Sequence, residues 1–262
     1  MQSPARRCPR PLPSDPALPL PASLSIVRSE PAGLGQMAES DQSADVAWRD
    51  GIVPVSTRFD DPYFSLADGL AETRHVFLAG NGLPDRFRPG FRIAELGFGT
   101  GLNMLATLIA WQGAGCEGRL HYTSFEAFPM RAEEIARALQ AFPEAEAVAG
   151  PFLAAWQAGH SCFTNGGLQV EVILGDARET LPAWQGQADA WFLDGFSPAK
   201  NPELWSEDLM CAVAGHTAPE GTFATYTAAG HVRRALQAAG FEVTRSPGHG
   251  RKRHMSSGKL RT

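Results

Sequence analysis

The stretch FRIAELGFGTGLN, residues 91–103, limits this chain more than any other. An apolar run ends at Glu95, glycines alternate at Gly97, Gly99 and Gly101, and a helical pattern begins at once. A strand–turn–helix of this kind puts backbone without side chains at the mouth of a buried strand. There a ligand can approach the main chain and the free N–H groups of the next helix. The rhythm continues along the chain, with strand-like runs at 92–97, 120–126, 170–174, 189–194, 221–227 and 241–244. Between them lie helical stretches at 101–112, 130–142, 177–184, 202–216 and 230–240. Strands alternating with amphipathic helices specify an α/β fold, a mostly parallel, doubly wound sheet covered on both faces. KRHMSSGKL, 252–260, supplies one more strand at the sheet edge.

Ahead of this core, VAWRDGIVPVS reads as two short strands around Asp50-Gly51, a favoured hairpin dipeptide. LAETRHVFLAG has helical spacing, with Leu70, Val76 and Phe77 or Leu78 inward. The expected organisation is therefore a small N-terminal added subdomain over 45–90 and a Rossmann-like core over 91–262. Residues 1–44 are crowded with proline and are expected to form a disordered extension, with Met37 an alternative start.

A chain of 262 residues, 44% hydrophobic, can bury one substantial core. No apolar stretch approaches the roughly 20 residues of a membrane span. Four scattered cysteines, none in a C-x-x-C pair, give no zinc spacing, so no metal is expected. The net charge of −5 predicts no nucleic-acid partner by itself. Its distribution does. From Val232 to the C-terminus eight Lys or Arg, among them Arg233, Arg251, Lys252 and Arg253, face one acid, Glu242. Such a stripe is the electrostatic footprint of a phosphate backbone.

Three ligands compete for the glycine turn. A Walker phosphate loop needs a Lys after its last glycine, and none follows Gly101. A dinucleotide fingerprint needs glycine at 102, where the chain has Leu. The pattern present, E-x-G-x-G-x-G, resembles the first motif of class I S-adenosylmethionine-dependent methyltransferases. That resemblance implies that Glu95, Gly97, Gly99, Gly101 and Asn103 hold the methionine end of the cofactor. Glu126, ending the second strand, suits two ribose hydroxyls, since a carboxylate accepts two hydrogen bonds. Asp176 and Ala177, after the third strand, correspond to the adenine-binding position of that class. Asp194, after the fourth, stands where the class reaches the substrate atom.

Four separated blocks make the likeness more specific. YFSLADGLAETRHVFLAGN (63–81), ELGFGTGLN (95–103), FLDGFSPAKNPELW (192–205) and GHVRRALQAAGF with GHGRKRHM (230–255) resemble the tRNA 5-methylaminomethyl-2-thiouridine methyltransferases. These occur alone or as the amino-terminal half of a bifunctional enzyme. The resemblance covers about residues 46 to 256. It implies methyl transfer from S-adenosylmethionine to the 5-aminomethyl amine of the wobble (2-thio)uridine of tRNA, in the cytoplasm. No second dinucleotide motif is present and the chain ends at Thr262, so FAD is not expected.

In this reading Asp194 binds and orients the amine. A carboxylate beside an ammonium favours the charged form, so positioning is the firmer role and proton acceptance the second. Phe196 and Pro198 wall the base, while Lys200, Asn201 and the basic residues of the stripe contact the RNA. Tyr63 closes the methionine end, and Phe64 packs. Transfer to another amine, or a tRNA-binding module without catalysis, are the alternatives the residues leave open; oligomeric state is unreadable.

Overall fold

The described residues of a computed structural model are 43–65, 68–250 and 252–261. They begin with a three-stranded antiparallel sheet of β1 (Val46–Arg49), β2 (Val53–Ser56) and β3 (Asp61–Pro62). Its first turn is the expected hairpin. Asp50 and Gly51 have φ of 52° and 73°, and the Ile52 N–H closes the turn on the Arg49 carbonyl at 3.2 Å. Glycine adopts such a backbone freely, and Asp tolerates it better than most residues. The Arg137 guanidinium fastens this hairpin to the core, 4.0 Å from the Trp48 ring centroid and donating to the Gly51 carbonyl. Of the proline-rich extension expected over 1–44, residues 1–42 lie outside the described residues, and the Ala44 N–H bonds to the Pro129 carbonyl at 3.1 Å.

The helical segment that follows is less regular than its spacing suggests. α1 (Gly69–Thr73) widens into a π-helical turn, Arg74–Leu78, and tightens into a 3-10 turn, Ala79–Asn81. The widening lets three successive side chains, Val76, Phe77 and Leu78, all face inward.

The main sheet has eight strands: β4 (Arg92–Leu96), β5 (Leu120–Glu126), β6 (Cys162–Asn165), β7 (Leu168–Leu174), β8 (Ala188–Leu193), β9 (Thr217–Thr225), β10 (Phe241–Pro247) and β11 (His254–Leu260). Their order is β10-β11-β9-β8-β4-β5-β7-β6, with the central five strands parallel and β6 and β11 antiparallel to their neighbours. The 252–260 stretch was expected at the edge. It lies instead between β9 and β10, leaving β10 outermost. Gly258 permits this placement: a Cβ there would meet the Glu242 carbonyl at 2.4 Å and the Phe223 ring at 2.6 Å.

Alternation along each strand feeds two cores. Ile93, Ala190 and Phe192 pack with α2 (Leu102–Gly113), α3 (Ala132–Leu139), α4 (Pro143–Glu146) and α5 (Gly150–Gln157). Ala94, Leu96, Trp191 and Leu193 pack with α6 (Ala177–Ala183), α7 (Glu207–Gly215) and α8 (Gly230–Ala238). The short elements between 143 and 165 had no counterpart in the sequence reading. Among the described residues no helix is long and apolar enough to cross a membrane.

From β4 the chain steps outward through β5 to β7, and α6 then returns it to β8 on the other side of β4. The strand order reverses between β4 and β8. In open α/β sheets the ligand crevice lies outside the carboxyl ends of the strands at that reversal. Gly97 and Gly195 follow the two strands and nearly touch, for a Cβ on Gly97 would stand 3.1 Å from the Gly195 Cα.

Candidate active site

A cavity of about 1030 Å³ opens at this crevice. The glycine turn forms its floor, with Gly97, Gly99 and Gly101 at φ of 81°, 54° and 72°. The Gly99 N–H bonds to Glu126 Oε2 at 2.9 Å, and the Phe128 N–H to Oε1 at 2.7 Å, so Glu126 is fixed at the end of β5 and faces the cavity. Burial raises its carboxyl, against the pull of these N–H donors. α2 starts at Gly101 without a side-chain cap, and Leu102 and Asn103 line the cavity. The positive end of a helix dipole, favourable to an anion, therefore stands at its edge.

Glu95 departs from the expectation. It lies one residue before the strand end, so alternation turns it to the α2 side, 0% exposed and away from the cavity lining. Its Oε1 accepts from Asn103 Nδ2 at 2.8 Å and its Oε2 from Ser124 Oγ at 2.7 Å. Burial holds its carboxyl well above the usual range. Its route to the cavity is Asn103, whose Nδ2 also donates to Asp194 Oδ2 at 2.8 Å and whose Oδ1 accepts from Thr73 Oγ1 at 2.9 Å. Asn103, read with the cofactor residues, is thus the bridge between two acids.

Asp194 is the first residue past β8, where its Oδ1 accepts the Gly195 N–H at 2.8 Å. Burial pushes its carboxyl up to about 6, opposed by the Gly195 N–H, Asn103 and the charge of Lys252, and reinforced by Glu72. Asp176 also reaches the cavity, but its carboxylate is engaged. It caps α6 through the Arg178 N–H at 2.9 Å and takes the Arg178 guanidinium at 2.6 Å, which holds it below the usual range. Ala177 lines the cavity beside it.

Aromatic rings form the opposite wall. Phe196 stacks on Phe59 at 4.7 Å between centroids and takes Tyr63 edge-on at 5.1 Å. Phe64 lines the cavity too, while packing on Phe142 at 4.8 Å. Two loops are fastened here: the Ser197 N–H bonds to Asp61 Oδ2 at 2.8 Å, and the Lys200 ammonium pairs with Asp60 and Asp61. Asn201 lines the cavity beside Lys200, but Pro198, expected in the wall, does not. The turn in which the Lys200 and Asn201 N–H groups bond back to the Ser197 carbonyl carries Pro198 outside.

Of the basic stripe, Lys252 enters the cavity. Its Nζ lies 2.6 Å from Glu72 Oε1 and 3.9 Å from the Tyr226 ring centroid, and the Tyr226 hydroxyl donates to the Gly195 carbonyl at 2.8 Å. Arg233, expected at the RNA, does not line the cavity, because α8 packs through Val232, Ala235 and Leu236 on the other core. Arg253 is exposed outside it, and Arg251 lies outside the described residues. Phe59, Glu72 and Tyr226 also line the cavity, and neither the glycine turn nor the strand-end acids point to them. A signal for Glu72 existed: it is an acid between Leu70 and Thr73 on the inward face of α1.

Comparison with known proteins agrees with this geometry. A family described as "S-adenosyl-L-methionine-dependent methyltransferase" matches residues 140–261. The chain is 48% identical over 216 residues to the tRNA 5-methylaminomethyl-2-thiouridine biosynthesis bifunctional protein MnmC of Caulobacter vibrioides, covering 79% of this chain and 36% of that protein. To the protein of the same name from Chromobacterium violaceum it is 45% identical over 233 residues, covering 84% and 35%. The chain therefore spans about a third of the length of the curated relatives it matches. Among solved structures, MNMC2 from Aquifex aeolicus matches with a TM-score of 0.64 at 27% identity, over 86% of this chain and 72% of that one. The family match over residues 140–261, the likeness to MnmC proteins over about a third of their length and the likeness to MNMC2 all fall on the part of the chain that carries this sheet and glycine crevice.

Proposed function

We propose that this chain methylates the 5-aminomethyl amine of a wobble (2-thio)uridine in tRNA, giving the 5-methylaminomethyl product. The observation that carries the proposal is one cavity in which Asp194, bonded among the described residues to a backbone N–H and the Asn103 amide, faces both a cofactor half and an aromatic half. The relatives' names supply the class of substrate.

The cofactor half fits S-adenosylmethionine. The uncapped start of α2 suits the carboxylate of its methionine end, Glu126 the ribose diol, and Asp176 with Ala177 the adenine edge. When bound, this molecule supplies a methyl group on a sulfonium that departs as a neutral thioether. What remains for the protein is placement: aligning an amine in line with that methyl, worth roughly 7–11 kcal/mol in favourable cases. Phe196, buttressed by Phe59 and Tyr63, offers the target base a face against which to stack once it leaves the anticodon loop. Asn201 is free to meet the nucleotide, whereas Lys200 fastens the two loops through Asp60 and Asp61. Asp194 accepts a hydrogen bond from the amine and directs its lone pair. Held near pKa 6, it also takes up the proton that the ammonium must shed before attack. Glu95 acts at one remove, orienting Asn103.

The test is transfer of labelled methyl from S-adenosylmethionine to tRNA taken from cells that lack this modification. Label in the wobble nucleoside, lost in Asp194→Ala, supports the reading. Intact cofactor binding without label on tRNA sinks it.

A further inference from the structure

The Lys252 ammonium rests in a seat made for an alkylammonium. Its Nζ stands 2.6 Å from Glu72 Oε1, a buried oxygen that this approach leaves without a well-aligned hydrogen bond, on a side chain only 9% exposed, and the Tyr226 ring lies beneath it at 3.9 Å. The Tyr226 hydroxyl is tied to the carbonyl of Gly195, the residue following Asp194, so ring and catalytic loop are held together. A carboxylate paired with an aromatic face is the general chemistry by which proteins hold primary and methylated ammonium groups. Lysine Nζ is itself a primary amine on an alkyl stem, as is a 5-aminomethyl group. Lys252 is only partly enclosed, its side chain 42% exposed, and a four-carbon stem can swing out. Glu72 cannot withdraw from the buried helix that carries it.

We propose that Glu72 and Tyr226, with Asp194, form the receptor for the substrate's amine, and that Lys252 occupies this receptor until the substrate displaces it. The inference rests on the functional reading above and adds two things to it. Glu72 becomes the residue that distinguishes an amine-bearing uridine from an unmodified one. Lys252 becomes an internal competitor that keeps the carboxylate neutralised while the site waits, and that is released toward the RNA once displaced. An internal occupant lowers apparent affinity in proportion to the fraction of sites it fills.

A ratio of affinities separates this role from phosphate binding. Two anticodon stem-loops are titrated, identical except for 5-aminomethyluridine or plain uridine at the wobble position, against wild type, Glu72→Gln and Lys252→Met. Phosphate contacts are common to both RNAs and cancel in the ratio. Wild type is expected to prefer the amine. Glu72→Gln should reduce that preference about tenfold or more, the effect of losing a charged partner. Lys252→Met should increase it by about fivefold, even if both absolute affinities fall. S-adenosylmethionine binding by each variant confirms an intact fold, and Lys252, being surface-accessible, puts folding least at risk. A wild-type preference that neither variant changes overturns the receptor proposal and leaves the function standing. Absence of both preference and methyl transfer in wild type overturns both.

Discussion

One strand carries an aspartate at each end, and the two live in opposite worlds. Asp189, near the start of β8, accepts the Arg92 N–H at 2.9 Å, the Arg92 guanidinium at 3.0 Å and the Arg88 guanidinium at 3.1 Å. Despite its burial, these partners hold its carboxyl below the usual range. Asp194, just past the end of the same strand, receives one backbone N–H and one neutral amide, and burial raises it to about 6. Both are aspartates flanking the same apolar run, Ala190–Leu193. The amino end of the sheet satisfies its acid completely, whereas the carboxyl end leaves its acid capacity to spare. Perturbed, incompletely paired groups in a crevice mark the working end of a fold.

The largest expected contrast is catalytic. Asp194→Asn should lower single-turnover methyl transfer by about 10²-fold or more, the usual scale for a proton-handling carboxylate, with cofactor affinity little changed. Asp189→Asn should leave the rate per folded molecule intact. Its cost should appear in urea melts, at about 2 kcal/mol, since it strands two guanidiniums that solvent can partly rescue. That cost should depend on pH in one direction. A depressed carboxyl stabilises the fold above its unfolded pKa and loses that contribution as pH falls, so the gap from wild type should shrink in acid.

Asp194 should show the reverse slope, with a smaller size. A carboxyl raised from 3.8 to about 6 contributes stability below its unfolded pKa and loses it as pH rises through 6. Asp194→Asn should therefore gain on wild type between acid and neutral pH, by about 1 kcal/mol after allowance for solvent access and a lost acceptor. Melts at pH 4 and pH 7.5 would check the sign. Least of all, Lys200→Ala should cost under about 1 kcal/mol, because its partner Asp60 is exposed.

How much of this was readable beforehand follows the same divide. The parallel core was legible because apolar strands and amphipathic helices carry their own periods, and the glycine turn because positive φ leaves few residues to choose from. Asp194 was legible because it directly follows the apolar run Ala190–Leu193. Pairing was not: nothing in the alternation of 254–260 distinguishes an edge from an inserted strand, and the hint, Gly258 against Phe223, is a contact across sequence. α5 and β6 are short, eight and four residues, so neither develops a period. In the site, a single step of strand alternation sets Glu95 behind the cavity lining, and the hydrogen bonding of one turn carries Pro198 outside it. Lys252 was grouped with a basic stripe, and what singles it out, Glu72 and Tyr226, comes from segments more than 25 residues away in sequence.

The central claim is that the under-paired carboxylate at the end of β8 handles the substrate's amine. The most direct test is the pH dependence of single-turnover methyl transfer at saturating cofactor and 5-aminomethyluridine tRNA, in wild type and Asp194→Asn. The account predicts a wild-type rate that falls below about pH 6 and a residual rate in the variant without that acid limb. An acid limb that survives unchanged in Asp194→Asn would contradict it.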